Sequence, residues 1–247
     1  MRRLSAAISF LSRVPVPQRL GIDAVDVGGA TIFFPLVGAA IGGVGALFLE
    51  LSFLFPATLT ALLVVAFWAL VTGAMHLDGL ADTADGLGGG RTREEKLSIM
   101  RDPSVGSYGV VTLILSLAVK VTALSTLIAR GLAAPYLILA PTLGRWATVP
   151  LGYLLRYARG EAEGLGAALT GRVGWWDVLG ATAIAAVIVF LAAGANGFFC
   201  WAVVVAVLGI LGAWFQRSIG GVTGDTLGAA CELCETAALV AAVGLTS

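Results

Sequence analysis

The sequence predicts an all-α fold, a polytopic integral membrane helical bundle. Of its 247 residues, 58% are hydrophobic and only 12% are charged, whereas a soluble domain is about half apolar and a quarter charged. The mean hydropathy is +0.95, and several apolar stretches approach the roughly 20 residues that a helix needs to cross a bilayer. We therefore expect about seven transmembrane helices plus an N-terminal interfacial helix, in a single membrane-embedded domain over residues 1–247.

The amino-terminal segment, residues 1–30, is predicted to lie on the membrane surface. Its apolar run from Leu4 to Leu11 is short and interrupted by two serines, and the prolines that follow it leave no small-residue cleavage site, so a signal peptide is not indicated. An amphipathic helix whose arginines face anionic headgroups agrees better with this pattern. Those arginines are Arg2, Arg3, Arg13 and Arg19.

The spans and their connections follow from the apolar stretches. The candidate spans are 31–54, 57–75, 107–129, 132–154, 178–195, 197–214 and 227–246. Basic residues concentrate in the amino-terminal segment and in the long connections 76–106, 155–177 and 215–226, whereas Arg130 alone lies on the opposite side. The positive-inside rule therefore places the amino terminus and the long loops in the cytoplasm. Because 15 basic and 15 acidic residues cancel, no overall field favours a nucleic-acid partner.

The 76–106 loop is rich in aspartate. Asp78, Asp82 and Asp85 lie in the run from His76 to Gly86, directly after an apolar stretch. Spacings of four and three residues place them within roughly 60° of one another on one helical face. Like charges this close repel each other, so the pattern indicates a bound cation or chemistry that needs one.

A second acidic face is predicted near the carboxyl end. If a helix begins near Thr223, Asp225, Glu232 and Glu235 project within about 80° of one another. Ionised side chains in or beside a membrane span are costly and usually line an interior site. Stabilisation by a helix dipole would explain one such residue but not six. The two faces together are therefore predicted to hold one or two hard divalent cations.

The remaining polar residues give weaker signals. The run Arg91, Arg93, Glu94, Glu95 and Lys96 is typical of a solvated surface. A lone arginine in an apolar stretch, Arg145, needs a partner, which is either a phosphate or a structural ion pair. Three cysteines on apolar or helical ground predict no disulfide framework and are compatible with a reducing compartment.

Several stretches of the chain resemble the cobalamin synthases, the adenosylcobinamide-GDP ribazoletransferases. The matching segments are 76–86, 99–110 and 220–229, with weaker matches at 10–17 and 34–38. The resemblance implies a late step of cobalamin biosynthesis at the cell inner membrane. Members of the family join adenosylcobinamide-GDP to α-ribazole or its 5′-phosphate and release GMP, with Mg²⁺ required.

The resemblance and the charge pattern together suggest roles for individual residues. The predicted metal ligands are Asp78, Asp82, Asp85, Asp225, Glu232 and Glu235. The predicted catalytic residues are Asp82 and Asp85, one of which accepts the proton of the attacking ribazole hydroxyl. The predicted substrate-binding residues near the phosphates are Arg101, Asp102 and Arg145. Glu232 or Glu235 is an alternative base, and His76 is a less favoured one.

Two other functions stay open at this point. A CDP-alcohol phosphotransferase of lipid synthesis also uses an Asp-rich membrane motif, but its pattern has an arginine soon after Asp-Gly, which is missing after Asp78-Gly79. A cation transporter would place carboxylates near the middle of the bilayer, whereas these are predicted at the cytoplasmic helix ends. A homo-oligomer is possible, and the lipid bilayer is an expected partner.

Overall fold

A computed structural model describes residues 2–16, 28–159 and 170–246. These residues form helices and no β-strand, apart from an isolated bridge between Tyr157 and Val222, which confirms the all-α prediction. The helices are α1 (Arg2–Leu11), α2 (Phe34–Ala46), α3 (Ala57–Thr72), α4 (Met75–Gly89), α5 (Arg93–Ile99), α6 (Ser107–Ala129), α7 (Ala133–Leu154), α8 (Trp175–Ile219) and α9 (Gly224–Leu245). Short 3₁₀ segments, Thr31–Phe33 and Leu47–Phe53, flank α2.

The predicted membrane bundle is confirmed by the length and apolarity of these helices. Within the described ranges, four stretches can cross a bilayer, or five if α3 and α4 form one bent span. The four are Thr31–Phe53, Ser107–Ala129, Trp175–Ile219 and Gly224–Leu245. The count of seven stays a prediction.

Helix α8 turns back on itself. Its 45 residues would extend about 68 Å if straight, roughly twice the thickness of the hydrocarbon core. Gly194 has non-helical dihedral angles (φ 53°, ψ −133°), and a Cβ added to Gly197 would lie 2.9 Å from the carbonyl oxygen of Val189. Residues eight apart in a straight helix are about 12 Å apart. The chain therefore reverses near Gly194, where the sequence places the boundary between stretches 178–195 and 197–214.

Helix α7 is the centre of the bundle and packs against α2, α8 and α9. Leu137, Leu139 and Leu143 in its middle are fully buried. The aromatic ring of Trp146 meets that of Trp201 edge-on, with centroids 5.0 Å apart, and its indole N–H donates to Thr182 at 3.0 Å. Both halves of α8 are thus held against the same helix.

Helix α4 lies at 89° to α3. Two consecutive left-handed residues, Gly73 (φ 63°) and Ala74 (φ 58°), make this bend. Because α3 is apolar and α4 carries the three aspartates, we place α3 in the membrane and α4 at its surface, outside the spans. The predicted connection 76–106 contains two helices, α4 and α5. The shared helical face predicted for the aspartates is confirmed.

The three long connections meet at one end of the bundle. The Arg93 side chain donates to the carbonyl of Ile219, the last residue of α8, at 2.8 Å and to the carbonyl of Ala158 at 2.6 Å. The backbone N–H of Ala158 donates to Val222 at 2.8 Å. Arg130 lies at the opposite end, where it donates to Thr246 at 3.0 Å. Arg93 is therefore a structural link, although the run from Arg91 to Glu95 is exposed, as predicted.

Helix α1 is amphipathic, as predicted. It buries Ala6, Ala7 and Leu11 and exposes its arginines. Phe10 stacks on Phe34, with ring centroids 5.6 Å apart, which fixes α1 against the start of α2. Arg19 lies outside the described residues, and the location of α1 in the membrane interface stays a prediction.

Candidate functional site

A cavity of about 260 Å³ opens where α1, α2, α4, α7 and α9 meet. Asp78 of α4, Asp225 of α9 and Arg159 of the connection after α7 line it, together with His76 and Tyr157. Apolar side chains from the same set of elements complete the wall. The predicted convergence of the two acidic segments is therefore confirmed for Asp78 and Asp225.

Two glycines make this convergence possible. A Cβ on Gly79 would lie 2.7 Å from the carbonyl oxygen of Asp225, and a Cβ on Gly228 would lie 3.4 Å from the Cα of His76. The backbones of α4 and α9 thus touch where they cross, which larger side chains would prevent. The crossing brings two aspartates that are far apart in the sequence to one cavity.

The start of α9 positions Asp225. Thr223 is the N-cap residue, and its hydroxyl accepts from the backbone N–H of Thr226 at 3.2 Å, so the predicted helix start is confirmed. Asp225 falls in the first turn, where the helix dipole favours a carboxylate. Its Oδ2 accepts from the hydroxyl of Thr223 at 3.2 Å and from the guanidinium of Arg159 at 2.7 Å.

Arg159 is a site residue that the sequence reasoning missed. One of its terminal nitrogens donates to Asp225, and also to the carbonyl of Met100 at 3.3 Å. Its Nε is buried and has no acceptor among the residues that the structure describes. In the sequence, Arg159 is one of several loop arginines, and no spacing distinguishes it from the others.

The carboxylates along α4 occupy different environments. Asp78 is exposed at the cavity, and Asp82, one turn further along, is half-buried and does not line the cavity. Partial burial and then the charges of Asp78 and Asp225 raise the pKa of Asp82 from 3.8 to about 7. Asp82 is therefore poised to exchange a proton near neutral pH.

Asp85 has a structural position. Its two carboxylate oxygens accept from the backbone N–H groups of Gly106, at 2.7 Å, and Gly109, at 2.8 Å. Gly106 is the N-cap residue of α6, so the buried carboxylate satisfies backbone donors at the start of that helix. Asp85 thus caps the start of α6 in this structure, and its predicted catalytic and metal-binding roles stay predictions.

Glu232 and Glu235 do not join the carboxylates of the cavity. They lie roughly 10 to 15 Å along α9 from Asp225, within a buried cluster with Lys120 and Arg145. Lys120 contacts Glu232 and also lies 2.7 Å from Glu235, and Arg145 contacts the other oxygen of Glu235. Two cations thus neutralise two anions. This arrangement opposes the predicted metal role of the two glutamates. For Arg145 it favours the structural ion pair over the predicted phosphate contact.

Arg101 and Asp102 lie on the exposed turn between α5 and α6. Asp102 accepts from the backbone N–H of Ser104 at 2.8 Å. Hydrogen bonds from the backbone and the side chain of Ser104 lower the pKa of Asp102. Burial raises the pKa of Tyr157, and the positive charge of Arg101 is one of the smaller effects that oppose this rise. The turn borders the cavity through the contact between Met100 and Arg159.

The donor set fits Mg²⁺ that arrives with a phosphate ligand. Within the described residues, no three or more His, Cys, Asp or Glu side chains are spaced to hold a metal on their own. Mg²⁺, however, usually takes one or two carboxylates and completes its shell with waters and substrate phosphates. Asp78 and Asp225 supply two carboxylates on one cavity. Asp82 lies close enough that the charges of both contribute to its raised pKa.

Comparison with known proteins identifies a family and a curated relative to which this chain is similar. The family described as Cobalamin-5-phosphate synthase matches residues 3–243. A curated protein from Citrobacter koseri named Adenosylcobinamide-GDP ribazoletransferase is 44% identical over 245 residues, which cover 96% of this chain and 97% of that protein. No solved structure matches the chain.

Proposed function

The chain belongs to the cobalamin-5-phosphate synthase family, and on this basis we propose that it catalyses an adenosylcobinamide-GDP ribazoletransferase reaction. A ribose hydroxyl of α-ribazole, or of its 5′-phosphate, attacks the phosphorus on the corrinoid side of the diphosphate. A new P–O bond forms to the ribazole, the bond to GMP breaks, and the hydroxyl proton passes to a base. The products are GMP and adenosylcobalamin or its phosphate.

The observation that supports this reaction best is the meeting of Asp78, Asp225 and Arg159 on one cavity. A diphosphate repels bare carboxylates, so aspartates near it require a bridging cation. Bound there, Mg²⁺ would neutralise the diphosphate and stabilise the leaving phosphate. Arg159 lines the same cavity and adds a positive charge that attracts phosphate oxygens.

The protein's own residues then divide the work. We assign Asp78 and Asp225 to holding the cation. We assign the proton to Asp82, one turn from Asp78 on α4, because its pKa of about 7 suits a general base that reaches the hydroxyl through one water. Asp85 holds the start of α6 in place, which fixes the turn that carries Arg101 and Asp102.

The family match favours this function over a CDP-alcohol phosphotransferase. Transport of a cation is disfavoured by the buried cluster, since both glutamates there already contact Lys120 or Arg145 and offer no uncompensated charge to a passing ion. We further propose that the site faces the cytoplasm, because the cavity is at the arginine-rich end of the bundle. Self-association stays a prediction.

Purified protein in detergent, supplied with adenosylcobinamide-GDP, α-ribazole and Mg²⁺, should release GMP and form the cobalamin product. Asp225→Asn should reduce turnover on the order of 100-fold or more, as loss of an electrostatic group at a reacting centre does. Glu94→Gln is the matched control, because the Glu94 side chain is 77% exposed and does not line the cavity. Absence of GMP release by the unmodified protein, or equal turnover of Asp225→Asn, would contradict the proposal.

A further inference from the structure

One part of the cavity has a chemistry that phosphate handling does not use. Phe10 and Leu11 of α1 and Phe34 of α2 line it, and we call these three residues the aromatic wall. Phe10 and Phe34 are stacked with an interplanar angle of 15°, while Leu11 and Phe34 are almost completely buried. Phe10 is partly exposed and is therefore the ring that the wall presents to the cavity, while the buried Leu11 and Phe34 hold it in place beside Asp78 and Asp225.

The size of the cavity limits its occupant. At about 260 Å³ it lies just below the roughly 300–1,000 Å³ of pockets that enclose drug-sized ligands. A cavity of this size suits a single nucleoside, whereas a corrinoid macrocycle with an attached nucleotide is much larger than the cavity. The macrocycle must therefore remain outside, with only its diphosphate reaching the carboxylates.

Two aromatic bases take part in the proposed reaction, and their edges differ. Guanine carries an amide and an amino group, which would lose hydrogen bonds to water against an apolar wall, and unpaired polar groups are costly to bury. The benzimidazole of ribazole carries no such groups on its six-membered ring. Flat aromatic faces also stack favourably on phenylalanine.

We infer that the aromatic wall binds the benzimidazole base of the ribazole substrate and directs its ribose hydroxyl toward the diphosphate at Asp78 and Asp225. This inference rests on the proposed function and extends it, since it names which substrate enters the cavity. It also gives α1 a role in the site, because two residues of the wall belong to this amino-terminal helix.

Steady-state kinetics of Phe34→Leu and Phe10→Leu test the inference. Phe10→Leu keeps an apolar side chain but removes the stacking face, and Phe34→Leu removes the ring that holds Phe10 in place, so in both variants the KM for α-ribazole should rise roughly 3- to 10-fold. The KM for adenosylcobinamide-GDP and kcat should stay within twofold of the unmodified protein. Phe48→Leu is the matched control, because Phe48 packs against another phenylalanine, Phe67, with ring centroids 5.2 Å apart, and does not line the cavity.

Binding measurements keep the test independent of turnover. Equilibrium dialysis of the unmodified protein with labelled α-ribazole should show binding that benzimidazole competes for and guanosine does not. Competition by guanosine alone, or a rise in KM for the nucleotide substrate instead of α-ribazole, would overturn the inference while leaving the reaction intact. No GMP release from the unmodified protein would instead overturn the proposed function.

Discussion

Replacement of Lys120 by methionine tests the buried ion cluster and its exclusion from the metal site. Lys120 is 2% exposed and contacts Glu232 and Glu235, and it also lies 5.9 Å from the ring centroid of Trp68. Methionine fills a similar volume but leaves Glu232 without its contacting cation. Removing one partner of a buried ion pair costs about 3–5 kcal/mol. For a chain of this size, a loss of 1 kcal/mol lowers Tm by about 2–4 °C, so Tm should fall by roughly 6–20 °C.

Thermal unfolding in one detergent measures this effect, and a double variant controls it. Lys120→Met combined with Glu232→Gln removes one charge of each sign and leaves Arg145 paired with Glu235. Its Tm should recover most of the loss, since balanced replacement of a buried pair is close to neutral. The Mg²⁺ dependence of turnover in the double variant should match that of the unmodified protein. An unchanged Tm in the single variant, or a double variant as unstable as the single one, would refute the reasoning.

Three further predictions concern the cavity and its surroundings. Asp85→Asn leaves a backbone N–H of α6 facing an amide donor, so the free energy of unfolding should fall by about 1–3 kcal/mol. Thermal unfolding measures this loss, with Glu94→Gln as the control, and equal stability of the two variants would contradict the capping role. Arg159→Met should raise the KM for adenosylcobinamide-GDP about 10-fold or more, whereas the exposed Arg156→Met should not. The pKa of Asp82 is raised to about 7, so its carboxylate is protonated below that pH and kcat/KM at low Mg²⁺ should fall as the pH drops from 8 to 6. At high Mg²⁺ the midpoint of this pH profile should shift downward. A flat pH profile would contradict the proposed base.

Local sequence patterns predicted the elements that build the cavity. The spacing of Asp78, Asp82 and Asp85 placed them on one face of a helix, and the Thr223 cap marked the start of α9, because helical periodicity and capping depend on residues only a few positions apart. The bounds of α4 and α5 within the connection 76–106 were not predicted. The segment's charged and glycine-rich composition resembles that of a connection, whereas α4 is stabilised by packing against α9 and α6.

The partners of the charged groups were harder to predict. Arg159 pairs with a residue 66 positions away, and Lys120 with one 112 positions away, so no local spacing connects them. Helical periodicity placed Asp225, Glu232 and Glu235 on one face of α9. Their positions along the helix differ, however, so Asp225 lies at the cavity and the two glutamates lie in the buried cluster. Lys120 was still a usable signal, since a lone lysine inside an apolar span requires a buried acid at the same depth.

Metal binding tests most directly whether carboxylates from α4 and α9 hold one cation together. Mn²⁺ binding in the presence of GDP should be measured by electron paramagnetic resonance for Asp78→Asn, Asp225→Asn and the double variant, with Glu94→Gln as the control. Each single variant should weaken binding at least 10-fold, and the double variant should lose little more, because the two side chains share one ion. Wild-type affinity in both single variants, or losses that simply add in the double variant, would contradict the shared site.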